Sequence, residues 1–145
     1  MTEEQKKRLA DLKENNRSFM LEQRRKQNGL LQECIASLGS HCRIVDADIE
    51  RQCQRAVNAI YKQGLKAHPL DEMPDAWSGK SVYLVWDEMT LPVLYCEFDA
   101  VRKAMDDVLA VNFKTWFVSE EMDQVVCINN CGEMKQFLLE DGSWV

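Results

Sequence analysis

The chain has 145 residues, of which 46 % are hydrophobic and 29 % are charged, a composition typical of one soluble globular domain. Only 3 Pro and 6 Gly are present, which argues against a low-complexity or disordered chain. No apolar stretch approaches the roughly 20 residues that span a membrane, and the polar N-terminus lacks the apolar centre of a signal peptide. We therefore expect a single cytoplasmic domain over residues 1–145, with no membrane contact.

The net charge of −6 is unevenly distributed along the chain. Residues 1–35 carry eight Lys/Arg against six Asp/Glu, residues 36–80 carry six of each, and residues 81–145 carry four against twelve. An acidic folded surface favours a basic partner, because complementary fields speed association and fix orientation. The chain lacks the basic patch of nucleic-acid-binding proteins, so we expect no direct contact with nucleic acid.

Residues 1–38 predict an N-terminal helical segment in two pieces, because Asn28-Gly29 favours a kink or a break within a helix. Gly39 suits the C-cap of the second piece. The first piece carries only a thin apolar stripe, formed by Leu9, Leu12, Phe19 and Met20.

Residues 46–66 give the clearest helical pattern, because apolar residues recur at spacings of three and four over Ala47–Leu65. Asp46 or Asp48 can accept the free N–H groups at its start. Gly64 ends it, and residues 68–80 are predicted to form an ordered loop or an internal boundary.

Residues 81–145 predict a β-rich part with one helix at residues 97–110. The order α-α-β-β-α-β-β-β indicates an α+β fold, with helices packed against one side of a mostly antiparallel sheet. The five predicted strands are Val82–Trp86, Leu91–Tyr95, Lys114–Val118, Gln124–Ile128 and Met134–Leu139.

The six cysteines indicate free thiols in a reducing compartment, since no export signal accompanies them. A zinc site needs four ligands, usually as two close pairs. Cys34, His41 and Cys42 supply at most three ligands at irregular spacing, so we expect no metal and no cofactor.

No catalytic motif is present: neither a glycine-rich phosphate loop nor a nucleophile elbow occurs. Neither histidine is placed by the sequence to activate a cysteine. The paired carboxylates fall in predicted turns or on a helix face, where burial cannot separate their pKa values. We therefore expect no catalytic residues and no enzyme, although a site assembled from distant residues would leave no such pattern.

Two predicted hairpin loops are acidic and could border a common face of the sheet. Acidic loops around an aromatic anchor suit a protein interface. In the competing interpretation the aromatic residues form the core and the acids keep the protein soluble. The candidate contact residues are the acids Asp87, Glu88, Glu120, Glu121 and Asp123, with Trp86 or Trp116 as the anchor.

The run WFVSEEMDQVVCINNCGEM, from Trp116 to Met134, follows a predicted amphipathic helix. From Glu97 onward the chain resembles small bacterial immunity proteins that accompany polymorphic and contact-dependent growth-inhibition toxins. In those proteins an aromatic strand, an acidic turn and an apolar strand ending near Asn form a hairpin. There the Asn is followed by histidines and an acid. Here Asn129 is followed by Asn130, Cys131 and Gly132, so no role of those histidines is carried over.

The resemblance implies a protein that binds one cognate toxin domain and blocks it without chemistry. Many such toxins are nucleases, whose basic clefts an acidic inhibitor can occupy with carboxylates in place of phosphates. The alternative is a non-enzymatic adaptor or assembly module, in which a partner helix or a second copy completes the thin N-terminal stripe. Monomer and homodimer are both compatible with the sequence.

Overall fold

A computed structural model describes residues 2–87 and 90–139, which form a seven-stranded antiparallel sheet covered by helices on both faces. The helices are α1 (Glu3–Leu38), α2 (Ala47–Gln63), α3 (Phe98–Lys103) and α4 (Met105–Leu109). The strands are β1 (Cys42–Ile44), β2 (His68–Leu70), β3 (Ser81–Trp86), β4 (Leu94–Glu97), β5 (Lys114–Ser119), β6 (Gln124–Asn129) and β7 (Met134–Leu138). Two 3₁₀ turns lie at Gly39–His41 and Asp75–Trp77.

The strands lie in the order β1-β4-β3-β5-β6-β7-β2, and every neighbouring pair is antiparallel. The α+β class and the five predicted strands are confirmed, with boundaries shifted by one to three residues. The two edge strands were not predicted, because three residues are too few for an alternating pattern to show. Pro69 lies in β2, where an edge position tolerates its missing N–H.

The central strands are apolar on both faces, and this places helices on both sides of the sheet. Leu84 and Phe117 pack in the core under α1, α3 and α4, whereas Val85 and Trp116 pack in a second core under α2. The expectation that helices cover one side is therefore wrong. β5 and β6 contain unbroken buried runs in place of alternation, as expected of strands covered on both faces.

The helix α1 is continuous over 36 residues, so the expected break at Asn28-Gly29 is wrong. Thr2 and Gln5 form a capping box at its start, and its last part is anchored by the buried Leu31, Cys34 and Leu38. Residues 3–26, here called the arm, contain no buried residue. Tertiary packing of the last turns outweighs the modest cost of one glycine in the helix.

The other helices follow the sequence closely, with one exception. Asp46 caps α2 by accepting the Ile49 N–H at 2.9 Å, and Gly64 ends that helix in the left-handed conformation, both as predicted. The helix predicted at residues 97–110 is divided in two at Ala104, which has non-helical backbone angles.

Two glycines provide a matched test of the helix geometry, since a Cβ added at either Gly29 or Gly64 meets no atom within 4 Å. Gly29→Ala should raise the free energy of unfolding by about 0.5–1 kcal/mol, because alanine restricts the unfolded chain and favours helix. Gly64→Ala should lower it by about 1 kcal/mol, because φ is +58° there. Urea unfolding followed by circular dichroism measures both, and a destabilising Gly29→Ala would contradict the continuous helix.

All six cysteines are free, and burial divides them. Burial raises the pKa of Cys34 and Cys53 to about 12 and that of Cys127 to about 11. Cys42 is half-buried and Cys131 is exposed. The four buried cysteines are Cys34, Cys53, Cys96 and Cys127.

We expect Cys131 to react rapidly with a thiol reagent at pH 8, Cys42 slowly, and the other four only after denaturation. The buried thiols hold their protons more tightly in the folded than in the unfolded protein. Their contribution to the free energy of unfolding should therefore be fully present below about pH 9 and should fall as the pH rises further. Timed labelling with mass spectrometry identifies each site. Rapid labelling of four or more cysteines in the native protein would be incompatible with this packing.

Candidate partner-binding site

The turn between β5 and β6 is held by hydrogen bonds to Ser119. The Met122 N–H donates to the Ser119 carbonyl at 2.8 Å. The buried Ser119 hydroxyl donates to Asp123 Oδ1 at 2.8 Å, and it accepts the N–H groups of Asp123 and Gln124 at 3.1 and 3.0 Å. One side chain therefore fixes the path of the turn at both of its ends.

Met122 fixes the middle of the same turn. Its φ is +58°, which is uncommon for a residue with a side chain. The side chain is buried in the core under α2, and this burial offsets the backbone cost. Glu120 and Glu121 on the same turn are exposed. The turn thus presents two carboxylates from a fixed backbone, which reduces the entropy lost on binding.

A pair of tyrosines lies beside the turn. The register places Arg43 opposite Tyr95 and Tyr95 opposite Tyr83, across β1, β4 and β3. The two tyrosine ring centroids are 5.1 Å apart, and the Arg43 guanidinium lies 4.9 Å from the Tyr95 centroid. The Tyr95 hydroxyl donates to the Glu120 carboxylate, which raises the pKa of Tyr95. We call Arg43, Tyr83, Tyr95, Glu120 and Glu121 the acidic tyrosine surface.

A shallow cavity of about 210 Å³ adjoins this surface at the end of β4. It lies between the segment Ser40–Arg43 and the side chains of Tyr95 and Glu97. His41 Nδ1 contacts the Glu97 carboxylate, and both side chains are more than half exposed. The cavity is open to solvent, so it extends the acidic tyrosine surface towards the sheet edge.

The two acidic loops predicted from the sequence lie at opposite ends of the sheet. The register pairs Val82 with Ser119 and Trp86 with Thr115, so Asp87 follows the far end of β3. The loops are therefore about 15–20 Å apart along the strand and do not adjoin one another. Asp87 accepts a hydrogen bond from the Tyr61 hydroxyl at 3.0 Å. Glu88 lies outside the described residues.

Both tryptophans belong to the hydrophobic cores. Trp86 is 4 % exposed and its Nε1 donates to the Val108 carbonyl at 3.3 Å. Trp116 is 2 % exposed and packs edge-to-face on Tyr61, with ring centroids 5.6 Å apart. Neither ring is available as a surface anchor in this fold, which corrects the expectation for both.

Sequence reasoning missed the tyrosine pair, although the signal was present. Once β3 and β4 are recognised as a hairpin, aligning their apolar phases places Tyr83 opposite Tyr95. Arg43 could not be placed in this way, because β1 is too short to be recognised.

Two further features were looked for in the described part of the chain, a metal-ion site and a membrane-spanning helix. No group of three or more His, Cys, Asp or Glu residues is arranged there to hold a metal ion. None of the helices described is long and apolar enough to cross a membrane.

Tyrosine and arginine are the side chains most often found at the centre of protein interfaces. The helices and the antiparallel sheet define a small α+β protein. Residues 65–137 match the family described as CdiI immunity protein, EcoliA0-like, and the chain belongs to this immunity-protein family. The match covers about half of the chain, from the end of α2 to β7, so it includes both tyrosines and the acidic turn. No curated protein sequence matches the chain.

Ser119→Ala should lower the free energy of unfolding by about 1–2 kcal/mol, because two N–H groups and one carboxylate lose their partner. Ser37→Ala is the control. Its exposed hydroxyl donates to Asp107 at 2.6 Å, so we expect a loss below about 0.5 kcal/mol. Urea unfolding compares the two variants. Equal effects would show that Ser119 does not hold the turn.

Proposed function

We propose that the protein binds the toxic domain of a contact-dependent growth-inhibition protein in the cytoplasm and neutralises it by stoichiometric binding, without catalysis. Membership of the immunity-protein family supports the class of partner. The observation that carries the choice of surface is the fixed acidic turn beside the tyrosine pair.

The charge on this turn is not neutralised within the described part of the chain. No Lys or Arg there forms an ion pair with Glu120, Glu121 or Asp123. Arg43, the cation of the acidic tyrosine surface, lies over the Tyr95 ring. The turn therefore presents negative potential to solvent, which favours a basic partner and speeds its approach.

The tyrosines provide apolar contact area, which the carboxylates do not. Each has a large apolar ring with a polar hydroxyl and loses little conformational entropy on binding. Tyr83 and Tyr95 are half-buried and hold each other, so their exposed edges are already positioned. We propose that these two tyrosines, and not Trp86 or Trp116, are the aromatic anchors of the interface.

A nuclease is the toxin class that fits this surface best. Nucleases bind phosphates through basic clefts, and exposed carboxylates on a rigid turn can occupy the same positions. Glu120 and Glu121 supply two such groups, and Glu97 adds a third at the adjoining cavity.

Asp87, at the other end of β3, remains a proposed contact, and so does Glu88. A toxin centred on the turn reaches Asp87 only if the interface extends along the whole strand. Asp87→Lys, measured separately, therefore reports how far the interface reaches.

The test is charge reversal with a matched control. Glu120→Lys with Glu121→Lys should weaken binding of the purified toxin domain by about 100-fold, mainly through slower association at low salt. Asp71→Lys with Glu72→Lys changes the net charge equally on exposed residues beyond β2, and it should change affinity by less than about threefold. Surface plasmon resonance at several salt concentrations measures both.

Tyr95→Ala removes the aromatic ring and leaves the carboxylates of Glu120 and Glu121 in place. It should weaken binding chiefly through faster dissociation. Unchanged affinity in the double reversal and in Tyr95→Ala would remove this surface from the interface. Turnover of a substrate by the purified protein would contradict the binding mechanism itself.

The adaptor function remains a second candidate because every residue of the arm is exposed. Deleting residues 1–26 distinguishes the two. Retained neutralisation supports the immunity function, and its loss with the remaining fold intact favours a function carried by the arm.

A further inference from the structure

Three of the six cysteines lie together on the α1 side of the sheet, close to its edge strand β1. Cys34 and Cys96 are 0 % exposed within that core, and Cys42 packs against it while remaining partly exposed. Burial raises the pKa of Cys34 and Cys96, and the neighbouring Cys42 thiol raises both further. The remaining cysteines lie elsewhere, Cys53 and Cys127 in the core under α2 and Cys131 on an exposed turn.

Cys42 and Cys96 lie directly opposite each other on β1 and β4. Further along the same register, the Val45 N–H donates to the Val93 carbonyl at 3.1 Å. Hydrogen-bonded and non-hydrogen-bonded pairs alternate along an antiparallel ladder, so the two cysteines form a non-hydrogen-bonded pair. The Cα atoms of such pairs are about 4.5 Å apart, within the range of about 4.4–6.8 Å that a disulfide bridges.

The hydrogen bonds on the other side of β4 lead to the same assignment. The Phe98 N–H donates to the Lys80 carbonyl at 2.9 Å, so the alternation makes Cys96 and Val82 a hydrogen-bonded pair. Because the N–H and C=O of one strand residue point to the same side, those of Cys96 point towards β3 and away from Cys42. The two thiols therefore belong to the closer of the two kinds of cross-strand pair.

Cys42 is the more accessible and the more easily ionised of the two thiols. It lines the cavity of about 210 Å³ beside Tyr95 and Glu97, whereas Cys96 is buried. Burial raises the pKa of Cys42, and a hydrogen bond from the Cys96 thiol lowers it in part. Burial and the neighbouring thiols raise the pKa of Cys96 more strongly. Since the thiolate is the reactive form, a small reagent in the cavity reacts first with Cys42.

We propose that Cys42 and Cys96 form a reversible cross-strand disulfide, with hydrogen peroxide as the oxidant, and that this link fixes β1 on the sheet. The Cys42 thiolate attacks one peroxide oxygen, the O–O bond breaks, and the products are a Cys42 sulfenic acid and hydroxide. The Cys96 sulfur then attacks the Cys42 sulfur, and the sulfenic oxygen leaves as water with the Cys96 proton. Two thiols are thereby oxidised, and one peroxide is reduced to two waters.

The position of the pair determines what the link does. β1 has three residues and lies at the edge of the sheet, with β4 as its one neighbouring strand. Cys42 directly precedes Arg43, the cation of the acidic tyrosine surface. A covalent bond there prevents local opening of the strand that carries Arg43. Because the link borders an open cavity, a small thiol reductant can attack it and restore both thiols.

Peptide mapping tests the pairing in a Cys131→Ser background, which removes the most exposed thiol. Native protein treated with hydrogen peroxide should lose the mass of two hydrogens and yield one disulfide-linked peptide pair, joining Cys42 to Cys96. Dithiothreitol should reverse the change. A disulfide that contains Cys34, or sulfinic acid at Cys42 without any disulfide, would overturn the proposal.

Two alanine variants assign the second thiol, and each removes a fully buried cysteine of the same core. Cys96→Ala should stop at the sulfenic acid, which dimedone traps at Cys42. Cys34→Ala is the matched control and should form the disulfide within about twofold of the background rate. Circular dichroism verifies that both variants are folded. Disulfide formation lost equally in the two variants would show that no specific pair exists.

Hydrogen exchange tests whether the link fixes β1, with the opposite edge strand as an internal control. The Arg43 amide should exchange at least about tenfold more slowly in the oxidised than in the reduced protein. The Leu70 amide belongs to β2, a second edge strand of three residues, and should change less than about twofold. Equal slowing at both edges, or none at Arg43, would contradict a local effect on β1. Neither measurement involves the toxin, so both are independent of the proposed function.

Discussion

Burial of the central strands on both faces is the constraint on which the rest of the structure depends. β3, β5 and β6 place apolar side chains on each side of the sheet, so both faces must be covered by helices. Trp86 and Trp116 are the largest side chains used in this way, one on each face. With both faces occupied, charged residues of the β-rich part are left to the turns, the helix surfaces and the two ends of the sheet.

This arrangement explains why the acidic tyrosine surface lies at one end. The turn Ser119–Asp123 is short and tied to the core by Met122, which fixes the backbone that carries its two exposed glutamates. The tyrosines reach the same place because the β3–β4 register places them side by side. A rigid acidic turn and a half-buried aromatic pair therefore result from packing requirements that also stabilise the fold.

Local patterns in the sequence determined what could be predicted. The five longer strands, the Asp46 cap and the Gly64 end of α2 were recognisable because propensity and tertiary structure agree there. β1 and β2 were not predicted, because a strand of three residues is too short to show an alternating pattern of apolar and polar residues. The break predicted at Gly29 is wrong, because packing of Leu31, Cys34 and Leu38 against the body outweighs the roughly 1 kcal/mol that a glycine costs inside a helix.

The candidate site was predicted only in part, for a related reason. The acids of the turn were identified from composition, which needs no knowledge of pairing. Which end of the sheet each loop occupies depends on strand order, and β5 pairs with β3 across a chain segment containing β4 and two helices. The tryptophans were chosen as anchors from residue type alone, whereas their burial depends on both helical layers.

The extent of the family match has a consequence for how the chain can be divided. The matched segment, residues 65–137, contains β2 to β7 but neither α2 nor β1. Excised on its own, that fragment would expose Val85, Trp116 and Val125 to water along one whole side and would lose Arg43 from its binding end. The shared half of the sequence is accordingly not a free-standing folding unit.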